Sequence, residues 1–393
     1  MKNLKGPVLF VVLIGIISLF SDMVYEGARG ITGPFLDTLH ANAFVVGLFA
    51  GLGEFIGYGL RLVSGLWADR TKKYWTFVFT GYALNLLSVP LLALAGYWQI
   101  AVVLMMAERL GKAIRTPSRD ALMAGAAAEM GRGWAFGLHE ALDQIGATLG
   151  PLIMMAVLYL SGNHYPAAFA WTLIPALMAL SLLIVARKKE PAKGPVSTGK
   201  YKKVENVKGL MHHRPFVMYV AGAGLLAAGF TDFPLVAFHL KHNQIAADAF
   251  IPALYAMAMV VDAVAALGLG RLYDRYGIKV LVFSILLTLF FPLLTFSGSL
   301  PLAVAGIALW GAGMGAQESI LRAVMADLAP DGKVATVFGI FNTIFGIAWF
   351  AGSALMGWLY QVGISWLIVF SMTVQFAAVI MFFRVNQGAP HGR

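Results

Sequence analysis

The residues with the most chemistry in this chain stand near its start: Asp22, Glu26 and Arg29, inside a stretch that is otherwise apolar from residue 7 to 38. Their spacing of i, i+4 and i+7 aligns them along one face of a helix. A charge at the centre of a membrane-crossing helix costs about 2.5–3.5 kcal/mol on insertion scales, so three of them require partners, water or a function. One arginine neutralises one carboxylate, which leaves a second acid whose proton can be exchanged. A carboxylate desolvated between helices takes a proton or a cation in competition, and that competition is the minimal mechanism of ion-coupled transport.

Other ionisable residues interrupt apolar stretches in the same way. His139, Glu140 and Asp143 fall in the fifth stretch, with His139 and Asp143 at i, i+4. Counted at about 1.5 Å per residue from Arg132, they lie roughly 10–17 Å deep. Glu54 stands in the second stretch, Glu108 and Arg109 in the fourth, and Asp232 and Asp262 in the second half of the chain. Acids therefore outnumber bases at mid-depth, which favours a cationic substrate. His139 with Glu140 and Asp143 is also a donor set suited to a divalent cation, against the plainer reading of a hydrogen-bonded packing histidine. Glu26 with Arg29, and Glu108 with Lys112, can equally be static ion pairs. The run Arg115-Thr116-Pro117-Ser118-Arg119-Asp120 either binds an anionic group or closes a gate by ion pairing.

Composition says what must hold these residues. Of 393 residues, 59% are hydrophobic and 12% charged, where a soluble domain carries about 25% charged residues. A helix needs about 20 predominantly apolar residues to cross a bilayer. Twelve such spans are expected, at about 7–38, 43–66, 75–95, 98–118, 134–160, 166–186, 215–240, 249–270, 279–297, 300–325, 334–361 and 364–384. The apolar runs are continuous, without the alternation of a β-barrel. The net charge of +10 does not point to nucleic acid, because the basic residues collect in loops on one side of the expected membrane, with Lys241 alone on the other. That asymmetry places both termini in the cytoplasm. The N-terminal apolar run lacks a small-residue cleavage site and is read as retained. The chain has no cysteine, so thiolate chemistry is excluded. Gly51-Leu52-Gly53 and the Gly311–Gly315 run lie within apolar helical stretches and follow no strand, so helix packing is the stronger reading over nucleotide loops; no Walker motif is present, which argues against ATP as the energy source.

Residues 187–214 are basic and rich in helix breakers, a cytoplasmic linker between a first half at 1–186 and a second at 215–393. The halves echo each other. Phe136, Gly137 and Gly150 recur as Phe338, Gly339 and Gly352 at an offset of 202, and Ser21-Asp22 recurs as Thr231-Asp232 at 210. Gly65-Leu66-Trp67-Ala68-Asp69-Arg70 recurs as Gly270-Arg271-Leu272-Tyr273-Asp274-Arg275. Two six-helix repeats in one orientation place a substrate site between halves near the midplane.

These features resemble the major facilitator superfamily over essentially the whole chain. Its helix 2–3 signature is matched by Gly65, Leu66, Ala68, Asp69, Arg70 and Lys73, with Lys72 where the family has its second glycine; the second copy keeps that glycine as Gly277. The resemblance implies a gating role for Gly65, Asp69, Arg70, Asp274 and Arg275, with Asp69 engaging a neighbouring helix. Gly137, Gly146, Gly150 and Pro151 reproduce the spacing Gly-x8-Gly-x3-Gly-Pro, similar to the signature of drug/proton antiporters in this superfamily; close helix packing is the competing explanation. By likeness to multidrug/proton antiporters, Asp22 and Glu26 would be proton and cation sites and Arg109 their counter-charge.

The expectation is an all-α membrane protein of twelve transmembrane helices, a monomer in the inner or plasma membrane, with no cofactor. Its function is secondary active transport by alternating access, with proton-coupled export of a cationic or amphipathic small molecule favoured. A proton-coupled uptake symporter and a divalent-cation exporter are alternatives. A membrane-embedded enzyme lacks a catalytic constellation.

Overall fold

In a computed structural model of the chain, the described residues are 5–130, 132–189, 214–321, 324–325 and 334–388. The expected linker lies, for residues 190–213, outside them. Every regular element among the described residues is helical. In chain order these are α1 (Lys5–Thr38), α2 (Ala43–Thr71), α3 (Tyr74–Leu91), α4 (Trp98–Met130), α5 (Arg132–Leu160), α6 (Tyr165–Trp171) and α7 (Leu173–Lys188). Then come α8 (Arg214–Gly229), α9 (Phe233–His242), α10 (Ile251–Tyr276), α11 (Lys279–Thr288), α12 (Phe291–Thr295), α13 (Leu300–Ala316), α14 (Val334–Val362) and α15 (Ile364–Gly388). A π-helical turn, Gln317–Leu321, continues α13.

Among the described residues, ten helical segments are long and apolar enough to cross a membrane. Two of the twelve expected spans fall outside that set for different reasons. The stretch 98–118 lies in α4, which carries Glu108, Arg109, Lys112, Arg115, Arg119 and Asp120. The stretch 279–297 is divided between α11 and α12.

Proline explains where three expected spans divide. Its ring clashes with the carbonyl four residues earlier, and Pro175, Pro234 and Pro292 point back to Trp171, Phe230 and Thr288. α6 ends at Trp171 and α11 at Thr288, and the chain leaves helical geometry at Phe230 before α9 begins. Pro34, Pro90, Pro117 and Pro151 stay within their helices.

The helices form two compact units, one of Met1–His40, Ile56–Tyr201 and Asp248–Ala256, the other of Ala41–Phe55, Lys202–Ala247 and Met257–Arg393. In the first unit α1 packs along α5 and α7, and α3 along α4. Gly146 and Gly150 bring the α5 backbone against that of α1: a β-carbon at Gly150 would stand 2.9 Å from Met23 Cα and 3.0 Å from Gly27 N. Only a residue without a side chain allows that approach. On the other pair, a β-carbon at Gly81 would meet the Arg115 backbone nitrogen at 2.6 Å.

The second unit repeats this pattern. α8 packs along α14 and α15, and Gly352, the sequence counterpart of Gly150, lies against the backbone of Ala228 in α8. The two turns after α2 and α10 also match. Lys72 (φ +57°) and Gly277 (φ +62°) both adopt the left-handed conformation, and each donates its backbone N–H to the carbonyl four residues back, Ala68 and Tyr273, at 2.8 Å. This is the usual αL helix stop, built once on a lysine and once on a glycine.

Candidate functional site

Within the first unit, the α1 face that carries Asp22 and Glu26 meets α4 across Tyr25. The Lys112 ammonium lies 3.5 Å from the centre of the Tyr25 ring, and the Arg109 guanidinium 5.9 Å from it. Glu26 is 6% exposed and accepts a hydrogen bond from the Tyr255 hydroxyl. Tyr255 reaches it because residues 248–256 belong to this unit: Asp248 accepts a 2.9 Å hydrogen bond from Tyr165, and Gly30 leaves room for Pro252 and the Tyr255 ring. Arg29 and Arg109 both act electrostatically on Tyr255.

Asp22 is half-buried one turn earlier on α1, in electrostatic reach of Asp143, Lys112, Arg115 and Glu26. Glu108 is buried and held from three directions. Asn85 donates to its carboxylate at 2.7 Å and to its backbone carbonyl at 3.1 Å, and Arg109 Nε lies 3.3 Å from its other carboxylate oxygen. The Glu108–Lys112 pair expected from spacing is therefore replaced by Glu108–Arg109, while Lys112 turns to the Tyr25 ring. For Glu108 the acid is in a close ionic contact, with Arg109 rather than Lys112 as its partner.

A polar file runs from α5 through α1 to α4. His139 Nδ1 lies 3.1 Å from Asp143, and His139 Nε2 lies 3.4 Å from the Ser18 hydroxyl. Ser18 accepts a 3.0 Å hydrogen bond from Arg119, whose Nε donates to Asp120 at 2.9 Å. Glu140, by contrast, is exposed and accepts a 3.4 Å hydrogen bond from Gln144. Adjacent helical residues point about 100° apart, so His139, Glu140 and Asp143 do not converge on one point. Among the described residues, no group of three or more His, Asp or Glu side chains could hold a metal ion.

Asp232 and Glu54 belong to the second unit. Asp232 is 2% exposed and sits where the chain breaks between α8 and α9. Its carboxylate accepts from Trp349 Nε1 at 3.0 Å and from the Ser353 hydroxyl at 2.7 Å. The break frees backbone carbonyls that must be satisfied inside a membrane. Trp310 donates to Thr231 O at 2.8 Å, and Ser371 and Gln375 donate to Gly229 O at 2.5 and 3.2 Å. Trp349, which donates to Asp232, packs against Phe230, and Phe230 and Phe233 both pack against Trp310.

Of the expected gating residues, Asp69 accepts a 2.8 Å hydrogen bond from Tyr74, the first residue of α3. Gly65 lies against Pro117 of α4. Arg70, Asp274 and Arg275 are exposed. Pro151 is buried in α5 beside Gly150. Sequence reading passed over Tyr25, Asn85, Ser18 and Tyr255. Asn85 had a signal, an amide inside an apolar run; Tyr255 had none, because its partner lies 229 residues away.

The comparisons with known proteins agree with this architecture. The Major Facilitator Superfamily model matches residues 12–279 and 233–393. An uncharacterized protein of Mycobacterium tuberculosis strain H37Rv, Rv2265, is 40% identical over 384 residues, covering 96% of this chain and 93% of that one. The uncharacterized MFS-type transporter MJ1317 of Methanocaldococcus jannaschii is 27% identical over 367 residues, covering 90% and 88%. A crystal structure of the nucleoside transporter NupG superposes with a TM-score of 0.78 at 13% identity, covering 96% of this chain and 99% of that one. With the family model matching residues 12–279 and 233–393, which together span nearly the whole chain, the chain belongs to the Major Facilitator Superfamily and is a transporter, not an enzyme.

Proposed function

We propose that the chain is a proton-coupled secondary active transporter, working by alternating access between two six-helix halves with both termini in the cytoplasm. The observation that carries this is the set of acids on α1. Glu26 is buried against a tyrosine hydroxyl, and Asp22 stands one turn away among charges of both signs. Carboxylates inside a membrane protein are costly, and they occur where protons or ions are handled. Arg109, Lys112 and Glu108 supply charges that rearrange when a proton or substrate arrives. Gly146, Gly150 and Pro151 hold α5 on α1, and the turns at Gly65–Arg70 and Gly270–Arg275 serve as cytoplasmic gates.

For the substrate, the excess of acids over bases in the sequence and the antiporter-like glycine spacing support export of a cationic or amphipathic small molecule from the cell across the inner or plasma membrane. The buried Asp232 among tryptophan and phenylalanine rings supports the same class, since carboxylate and aromatic faces both attract cations. A second reading has its own observation. α4 brings Arg109, Lys112 and Arg115 into the electrostatic neighbourhood of the α1 acids, so the bases meet the acids at one place. That composition favours proton-coupled uptake of a molecule with an acidic group.

Growth of a deletion strain separates the two directions. Sensitivity to cationic toxic compounds, reversed by the wild-type gene and not by Asp22→Asn, supports export. Loss of growth on a carboxylate or phosphate-bearing nutrient supports uptake. Full complementation by Asp22→Asn in both assays refutes proton coupling through that residue.

A further inference from the structure

Three buried side chains of the first unit keep hydrogen-bonding capacity that no described residue uses. Arg115 is 1% exposed, Tyr82 0% and Ser118 1%. Arg115 Nε and Nη1, the Tyr82 hydroxyl and the Ser118 hydroxyl are buried without a hydrogen-bond partner. They belong together. The guanidinium carbon lies 4.2 Å from the centre of the Tyr82 ring, and Ser118 follows Arg115 by three residues, on the same face of α4. The contact of Gly81 with the Arg115 backbone fixes α3 and α4 at this point.

The neighbouring bases differ. Arg119 is engaged by Asp120 and Ser18, Arg109 by Glu108, and Lys112 by the Tyr25 ring. Asp22 and Glu108 act on Arg115 electrostatically, yet neither accepts a hydrogen bond from it, and the Glu108 carboxylate is committed to Asn85 and Arg109. A guanidinium has donors only, and hydroxyls can donate as well. Leaving such donors buried and unused is expensive. The missing partner is therefore an acceptor, and the planar fork of an arginine fits the two oxygens of a carboxylate or phosphate.

We propose that Arg115, Tyr82 and Ser118 form an oxyanion subsite of the transport pathway, which takes the carboxylate or phosphate group of the transported molecule. The subsite rests on the second reading of the substrate given above, and it adds the group that is recognised and the side chains that recognise it. Its side chains are distinct from the proton-handling acids of α1, although Arg115 lies within electrostatic reach of Asp22.

The test uses the full-length chain, purified in detergent, with thermal unfolding followed in sodium acetate, sodium phosphate or sodium chloride at matched ionic strength. A ligand that binds the folded state raises its apparent stability. Acetate or phosphate is expected to stabilise the wild type beyond chloride, with saturation. Arg115→Lys keeps the charge but removes the fork, and should raise the half-saturating concentration at least tenfold. Tyr82→Phe keeps the ring and should raise it severalfold. Equal stabilisation by all three salts, or the same half-saturation in wild type and Arg115→Lys, overturns the proposal. A further arm places the protein in nanodiscs of phosphatidylcholine with or without phosphatidylglycerol. An Arg115-dependent gain from phosphatidylglycerol, with none from acetate or phosphate, assigns the site to a lipid headgroup and overturns a transported substrate. Because binding is measured without a proton gradient, loss of the anion effect in Arg115→Lys would stand even if Asp22→Asn left proton coupling intact.

Discussion

Replacing Gly150 by alanine should separate α1 from α5 and disturb the α1 acids without touching any of them. A β-carbon at this position would stand 2.5 Å from Met23 O, 2.9 Å from Met23 Cα and 3.0 Å from Gly27 N. All three are backbone atoms, so no side chain can rotate away. Ordinary contact lies near 3.5–4.0 Å, which requires the two helices to part by roughly 0.5–1 Å. Overpacking of this kind costs about 1–3 kcal/mol. Gly146→Ala meets the backbone of Leu19 in the same way. One separation relieves both clashes, so the double variant should cost less than the sum of the singles. Gly137, the third glycine of the same motif, has nothing within 4 Å of its would-be β-carbon. Gly137→Ala should therefore be neutral, or stabilise by up to about 1 kcal/mol from helix propensity. The assay is equilibrium unfolding of the purified protein in mixed micelles, with unfolding rates as a second readout. Wild-type stability in Gly150→Ala, or equal losses at all three glycines, would refute the packing argument and return the motif to a role in transport chemistry.

Three further outcomes follow from particular contacts. Lys72→Gly removes a β-carbon from a left-handed backbone position, where a non-glycine residue costs about 1–3 kcal/mol; urea unfolding should show a stabilised turn and unchanged transport, and a loss of stability would mean that the Lys72 side chain matters more than its backbone. Tyr255→Phe removes the hydroxyl that serves the buried Glu26 carboxyl, and leaving such an acceptor unsatisfied costs about 1–3 kcal/mol. Hydrogen exchange in peptides covering 248–256 should quicken, and unchanged protection would show that this contact does not hold the segment. Trp349→Phe takes one of two donors from Asp232 and should cost about 1–3 kcal/mol, whereas Asp232→Asn with Trp349 retained should cost less; the reverse order in thermal unfolding would contradict the assignment of Trp349 as a donor to a carboxylate.

Much of this architecture is legible in the sequence because bilayer spans demand long apolar runs, and charges inside them stand out. Asp22, Glu26, Glu108, Arg109, His139 and Asp143 were found that way, and the structure brings them into one unit. Their partners were not legible. Spacing paired Glu108 with Lys112, but Arg109 and Asn85 reach the carboxylate first, and spacing cannot anticipate an aromatic ring such as Tyr25 drawing the lysine away. Glu140 was grouped with His139 and Asp143 although adjacent residues of a helix face apart, which a turn-by-turn reading would have revealed. The divisions at Phe230, Trp171 and Thr288 each lie four residues before a proline, but Pro34, Pro90, Pro117 and Pro151 stay inside their helices, so proline position alone does not tell a division from a continuous span. The Tyr255–Glu26 contact depends on the fold carrying residues 248–256 into the first unit, which no local pattern encodes.

Proton coupling through the α1 acids is tested most directly in proteoliposomes, once the growth panel has supplied a solute. Solute movement is followed with and without an imposed pH gradient, in the wild type and in Asp22→Asn. The wild type should accumulate or expel the solute against its gradient only when the pH gradient is present, and Asp22→Asn should retain exchange of labelled for unlabelled solute while losing gradient-driven movement. Movement indifferent to the pH gradient, or an Asp22→Asn protein that couples as well as the wild type, would contradict it.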